Sequence, residues 1–267
     1  MRTIRTHETT GLIADVLESI RRSDLIWSLA YFKIATKTRN ALLGVLWNVL
    51  GFALFVFGIA LLWGVVFKLD RQDFVPYVAL GYFVFQMITV TMLDSSRAIS
   101  DGGNFALQNR IPLTMLPFVS VAKQCLTALF ALPTIALALL LYPPDLSAEL
   151  LLLVPGFILC VLTFSGLAVI LAIICVYIAD LAELLSAVMR FMFFLTPIIW
   201  VAEDRSGLDM VLMLNPLHHA INVVRGPVLE LSGVAFSFGY MLALFVISWT
   251  FAFVLYHRLS RGLLLRV

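Results

Sequence analysis

Long apolar blocks separated by short polar breaks organise this chain. Residues 41–67, 74–93, 115–141, 150–177 and 237–256 each hold the roughly 20 mostly apolar positions that an α-helix needs to cross hydrocarbon. Short breaks divide them, such as Lys68-Leu69-Asp70-Arg71-Gln72-Asp73, Tyr142-Pro143-Pro144-Asp145 and Ala179-Asp180-Leu181-Ala182-Glu183. Residues 184–201 are apolar too, but Arg190 and Pro197 interrupt them, and the stretch 191–201 is too short to span alone. The pattern predicts a fifth span that stops short. Two short helices then follow within a gate region at 202–230, around the apolar patches 210–214 and 220–224, re-entering the outer leaflet. Irregular backbone at that depth has to be buried in protein or line a wet cavity. The expected fold class is all-α, a polytopic membrane protein with six transmembrane helices.

Ahead of the first block, Leu12, Ile13, Val16, Leu17 and Ile20 recur at helical spacing opposite Asp15, Glu18 and Ser19. The pattern runs on through Trp27 to Lys33, Lys37 and Arg39, which predicts a helix lying in the headgroup region. The expected division is 1–40 as an amphipathic interface segment and 41–267 as the membrane domain. Residues 1–24 lack an apolar core, so a cleavable signal peptide is not expected. In the first span Gly44, Gly51 and Gly58 are spaced to share one close-packing face, and Phe52, Phe55 and Trp63 form another stripe. Lys123 is placed to snorkel, and Pro133 sits inside the third span.

One polar stretch, 94–117, separates the second and third spans. It carries Asp94, Arg97, Asp101 and Arg110 around Gly102-Gly103, and a segment of that kind cannot rest in hydrocarbon. Gly102-Gly103 is expected to break the outgoing helix, Asn104 to cap a short new one, and Pro112 and Pro117 to mark its end and the re-entry. Lys and Arg gather in the N-terminal segment, in this stretch and after the last span. By the positive-inside rule all three lie in the cytoplasm.

Composition agrees: the 267 residues are 62% hydrophobic and 13% charged, with a net charge of +2. No phosphate loop, GxSxG, HExxH or CxxC pattern occurs. Adjacent His218 and His219 point apart on a helix, so no metal site is expected. Cys125, Cys160 and Cys175 read as buried thiols. Intramembrane acids are scarce, which argues against a proton-coupled carrier or an intramembrane enzyme.

Four motifs in order carry a resemblance. Leu43-Gly44-Val45-Leu46-Trp47 opens the first span after Lys37 and Arg39. Asn104-Phe105, Ile111-Pro112 and Leu116-Pro117 mark the polar stretch. Thr196-Pro197-Ile198-Ile199-Trp200 lies in the short span, and Asn215-Pro216-Leu217 precedes Arg225. The chain resembles the permease subunits of type 2 ABC exporters for O-antigen, capsule, teichoic acid and related polysaccharides. One departure is Ala179-Asp180, where that family usually has Arg-Asp; it leaves a salt-linked role for this loop open.

The resemblance implies a homodimeric channel in the cell inner membrane, docked on two copies of a separate ABC ATPase. ATP and Mg would sit on that partner, with no cofactor and no catalytic residue in this chain. The substrate would be a glycan or lipid-linked glycan; membrane lipid surrounds the chain, and nucleic acid is not among the partners. Asp101, Asn104, Phe105, Arg110, Ile111 and Pro112 would form a coupling helix at about 101–112. Asn215, Pro216, His218 and Arg225 would belong to the periplasmic gate. Sugar rings pack their C–H faces on aromatics, so Phe52, Phe55, Trp63, Phe191, Phe194 and Trp200 are candidate channel-lining residues. The alternatives are the permease of a drug or small-lipid exporter and, in a different class, an intramembrane transferase.

Overall fold

The architecture comes from a computed structural model, which describes residues 11–39, 44, 46–67, 71–144, 148–201, 209–263 and 266. All described elements are helical. In chain order they are α1 (Leu12–Arg21), α2 (Ser23–Thr38), α3 (Leu46–Phe67), α4 (Arg71–Gln108), α5 (Met115–Ala128), α6 (Leu132–Leu141), a 3-10 turn (Ala148–Leu152), α7 (Leu153–Tyr177), α8 (Asp180–Leu195), α9 (Asp209–Leu214), α10 (Pro216–Leu229) and α11 (Val234–Leu263). Five stretches are long and apolar enough to cross a membrane: Leu46–Val66, Gln72–Gln108, Met115–Leu141, Ala148–Tyr177 and Val234–Ser260.

α4 is the axis of the molecule, with α3, α5, α6, α7, α8 and α10 packed around it. It runs unbroken for 38 residues. Gly102-Gly103 does not interrupt it, Asn104 caps no new helix, and the expected separate coupling helix at 101–112 is instead the last turns of α4 and the turn that follows. Two helical glycines cost only about 1 kcal/mol each, and packing supplies their reason. A Cβ on Gly102 would stand 3.1 Å from Leu116 Cδ2, and Gly103 is buried. The pair lets the start of α5 close on α4.

The third span is two helices rather than one, because Pro133 in the first turn of α6 lacks the N–H that a continuous helix would need. Lys123 pairs with Asp94 across α4 and α5. The first span begins at Leu46, and Gly44 stands outside the helix at φ 51. Only Gly51 and Gly58 of the expected glycine face are therefore helical, and no heavy atom lies within 4 Å of a Cβ placed on either. Leu43 and Val45 of the first motif, and 202–208 of the gate region, lie outside the described residues.

α1 and α2 meet at Arg22, and the inward face of α1 is mixed: Leu12 lies in the core with Val16 packed beside it, and polar residues sit between them. Ser19 is fully buried; its Oγ lies 3.3 Å from Thr114 Oγ1, and Asp15 accepts a hydrogen bond from Tyr256 on α11. Ile13, Leu17 and Ile20 face outward.

α8 runs alongside α4 over much of its length. Near its start Glu183 pairs with Arg97, and beyond its end Trp200 O accepts from Tyr77 OH at 3.3 Å. From Tyr77 to Arg97 is about 30 Å of helix at 1.5 Å per residue. The helical part of α8 stops at Leu195; Thr196 is extended, and a turn and bends carry the chain on to Trp200.

Candidate functional site

Three groups of residues are distributed along α4. At its C-terminal end the helix closes in a Schellman turn. Arg110 adopts the left-handed conformation at φ 54. The Ile111 N–H donates to Ala106 O at 2.8 Å and the Arg110 N–H to Leu107 O at 3.3 Å, satisfying carbonyls that the helix end leaves open. Ile111 is buried as the inward hydrophobic contact of the motif, and Pro112 prevents further helix. Asp101, Asn104, Phe105 and Arg110 stand outward, with Phe105 47% exposed. The result is a rigid polar knob with one apolar tip. α1 braces it through Ser19 and through Arg22, whose Nη1 reaches Arg110 O at 3.5 Å.

Beside this elbow a cavity of about 440 Å³ is lined by Lys33, Asp94, Arg97, Asp101 and Lys123. The Lys123–Asp94 pair ties α5 to α4, and Arg97–Glu183 ties α4 to α8. Burial lowers the Lys33 ammonium below its usual range; Lys123 adds to this, and Asp94 and Asp101 oppose it. The loop whose departure left a salt link open thus carries one, through Glu183 rather than position 179.

In the middle, rings from three helices converge. Tyr82 stacks on Phe55 with centroids 3.7 Å apart and on Phe52 at 5.5 Å. Phe193 meets Phe55 edge-on at 5.8 Å, Phe85 at 5.4 Å and Phe194 at 5.4 Å. Such offset and edge-to-face pairs hold α3, α4 and α8 in register.

At the far end the Thr196-Pro197-Ile198 and Asn215-Pro216-Leu217 motifs interlock. The buried Asn215 caps α10, its Oδ1 accepting from Leu217 N–H at 2.9 Å and His218 N–H at 3.4 Å. Its Nδ2 donates to the buried Thr196 Oγ1 at 2.9 Å. Pro216 takes the first helical position, where a missing N–H costs nothing. Arg225, 2% exposed, donates from Nη1 to Pro197 O at 2.9 Å and lies 3.6 Å over the Tyr77 ring. A Cβ on Gly81 would approach its Nη1 to 2.9 Å, so α4 leaves room for the guanidinium. A buried cation held by a carbonyl and a ring, rather than a carboxylate, stays fixed only while all three elements stay together. Burial, reinforced by His219 and Arg225, lowers the imidazole of His218 to about 4. His219 Nε2 meets Met213 O at 2.9 Å and Nδ1 meets Ser237 Oγ at 3.0 Å, which fastens α9 and α11 to α10.

The profile of the ABC-2 type transporter family matches residues 24–229. The match covers α2 to α10 and includes all three groups. The chain belongs to this family. It is also 27% identical over 210 residues to the O-antigen export system permease protein RfbA of Myxococcus xanthus, covering 77% of this chain and 80% of that one. As an ABC-2 type permease, its architecture of apolar helices around one long axis is that of a multi-pass membrane protein.

Not all the residues singled out from the sequence of this ABC-2 permease fall where they were expected. Asp101, Asn104, Phe105 and Arg110 share the knob, whereas Ile111 and Pro112 support it from within. Phe52, Phe55 and Phe194 reach the ring cluster. Phe191 is exposed on α8 away from those ring contacts, and Trp63 packs against the apolar core. Trp200 is held by its indole N–H donating to Phe194 O at 3.0 Å. Asn215, Pro216 and Arg225 form the lock, with His218 beside it. Tyr77, Tyr82 and Phe193, the partners that join these groups, were missed. Each lies one helical turn or less from a residue that was named or inside an apolar run, and only the crossing of α3, α4 and α8 sets it apart from its neighbours.

Proposed function

We propose that this chain is the channel-forming subunit of an ATP-driven exporter that moves a polysaccharide, lipid-linked or growing, across the cytoplasmic membrane. It works as a homodimer on two copies of a separate ATPase. The observation that carries the reading is α4: one unbroken helix has the exposed knob at one end and the Tyr77–Arg225–Pro197 contact at the other. Force applied by a partner at Phe105 is delivered along a stiff rod to the residues that hold α8 and α10 together. The Arg97–Glu183 and Lys123–Asp94 pairs make α5 and α8 move with it. The family match and the O-antigen export function in the relative's name support the same direction.

In this reading the knob, both termini and the charged cavity face the cytoplasm, and α9 and α10 guard the periplasmic exit. α8 and the non-helical segment after it make the sixth crossing, because they follow α4 over a bilayer's apolar thickness. The ring cluster gives a glycan faces to slide on without tight binding. Second-copy contacts fall on α3 around Gly58, where the helix face is open. A small-lipid exporter is the second reading, favoured by an apolar cavity of about 760 Å³ between α4, the α5–α6 pair, α7 and α10.

Expression with the cognate ATPase tests the choice. Glycan at the cell surface that disappears when residues 104–112 are replaced supports polysaccharide export. Surface lipid changes with normal surface glycan would support the second reading.

A further inference from the structure

One cavity is separate from the knob, the charged cleft and the α10 lock. It measures about 300 Å³ and lies between α3, α4 and α5, at the level where α5 gives way to α6. Its walls include the side-chain amides of Asn48, Gln86 and Gln124, the Thr127 hydroxyl and the rings of Phe52 and Tyr82; no charged residue lines it. Gln86 stands about 12 Å along α4 from Asp94, inside the apolar thickness.

Gln124 is buried, Gln86 half-buried and Asn48 exposed at the rim, and none of the three amides makes a hydrogen bond among the described residues. Thr127 donates to Lys123 O at 2.8 Å, which leaves its oxygen free to accept. Each amide carries two donors and an acceptor. At this depth, groups without partners cost far more than at a wet surface. Three such amides around one cavity therefore define the chemistry of its occupant. An ionised group finds no counter-charge there, and an acyl chain leaves every amide unsatisfied. An uncharged ring bearing hydroxyls satisfies donors and acceptors alike, and its C–H face packs on the aromatics. The volume lies at the lower end of ligand pockets, enough for a single saccharide unit but not for a folded-back chain. Tyr82 belongs both to this cavity and to the ring cluster, so the cavity adjoins the aromatic path directly.

We propose that the cavity is a contact site for an uncharged saccharide unit inside the membrane, where Asn48, Gln86 and Gln124 exchange hydrogen bonds with sugar hydroxyls and Phe52 and Tyr82 pack on the ring. The proposal rests on the polysaccharide-export reading.

The test places a photo-cross-linking phenylalanine analogue at Met87, in the cavity wall, in the full transporter with its ATPase in cells that make the glycan. The expected result is an adduct that stains for glycan. Replacing Gln86 and Gln124 together by Leu is expected to lower its yield at least about five-fold, at an equal amount of assembled transporter, since each lost hydrogen bond weakens contact by a few-fold. An adduct with a second copy of this chain would overturn the proposal by making the cavity a protomer interface. Phospholipid adducts alone, no adduct, or a glycan adduct indifferent to the double substitution would overturn it equally. Surface glycan in the same cells, with and without this chain, separates the two levels. Chain-dependent export without a glycan adduct removes only the cavity proposal, whereas absent chain-dependent export removes the reading beneath it.

Discussion

Asn215 links two chain segments with one side chain: its Oδ1 caps α10, and its Nδ2 holds Thr196 at the break after α8. Asn215→Ala removes a helix cap worth about 0.5–2 kcal/mol and leaves the buried Thr196 hydroxyl short of a partner. The expected outcome is a clearly lower midpoint in a thermal unfolding scan of the purified protein. Asn215→Asp keeps the cap acceptor and can accept from the Thr196 hydroxyl, so it should stay much closer to the parent. An alanine variant as stable as the parent would remove the lock from the account. The neighbouring His218 adds a pH dependence. Its imidazole is lowered to about 4 by burial, with His219 and Arg225 reinforcing, so the unfolded chain, with His near 6.5, takes up the proton first. Stability is therefore full above about pH 6.5 and falls as pH drops towards about 4. His219 shifts in the same direction, chiefly by burial. His218→Gln should flatten the midpoint-against-pH curve between pH 7 and 5 without abolishing its slope, and an unchanged curve would contradict the assignment.

Among the elements, glycine separates internal packing from open faces. A Cβ on Gly156 of α7 would lie 2.2 Å from Val223 O on α10, whereas one on Gly58 of α3 meets nothing within 4 Å. Gly156→Ala must part α7 from α10, and overpacking of this kind typically costs about 1–3 kcal/mol. Gly58→Leu should leave the midpoint of the isolated subunit unchanged while weakening self-association, read by cross-linking of the assembled protein in membranes. Loss of stability from Gly58→Leu, or none from Gly156→Ala, would reverse the assignment of the two faces. The same element scale explains what the sequence could not convey. Hydropathy marked α3, α4, α7 and α11 because a span needs only length and apolarity. It misjudged Gly102-Gly103, since local breaker chemistry there yields to the fit of Leu116, a contact invisible to spacing. It could not tell Ser19 and Asp15 from a solvated face, because the pattern says which residues differ and not which medium lies on either side.

For the whole molecule, the site was legible in parts and not in its assembly. The knob residues were evident from charge placed between two spans. The lock was evident as two motifs but not as one object, since Thr196 and Asn215 are joined only when α8 ends and α10 begins at the same depth. The rod connecting knob and lock emerges only from the continuity of α4. On the proposed reading, a cytoplasmic partner drives this permease through the outward end of that rod. The most direct measurement is the sidedness of Phe105→Cys, labelled with a membrane-impermeant thiol reagent in right-side-out and inverted vesicles. The native Cys160 and Cys175 are buried and Cys125 half-buried, so the parent chain gives the background. Labelling in inverted vesicles only, and blocked when the cognate ATPase is bound, is the predicted result; labelling from the outer face, or labelling indifferent to the ATPase, would contradict the claim.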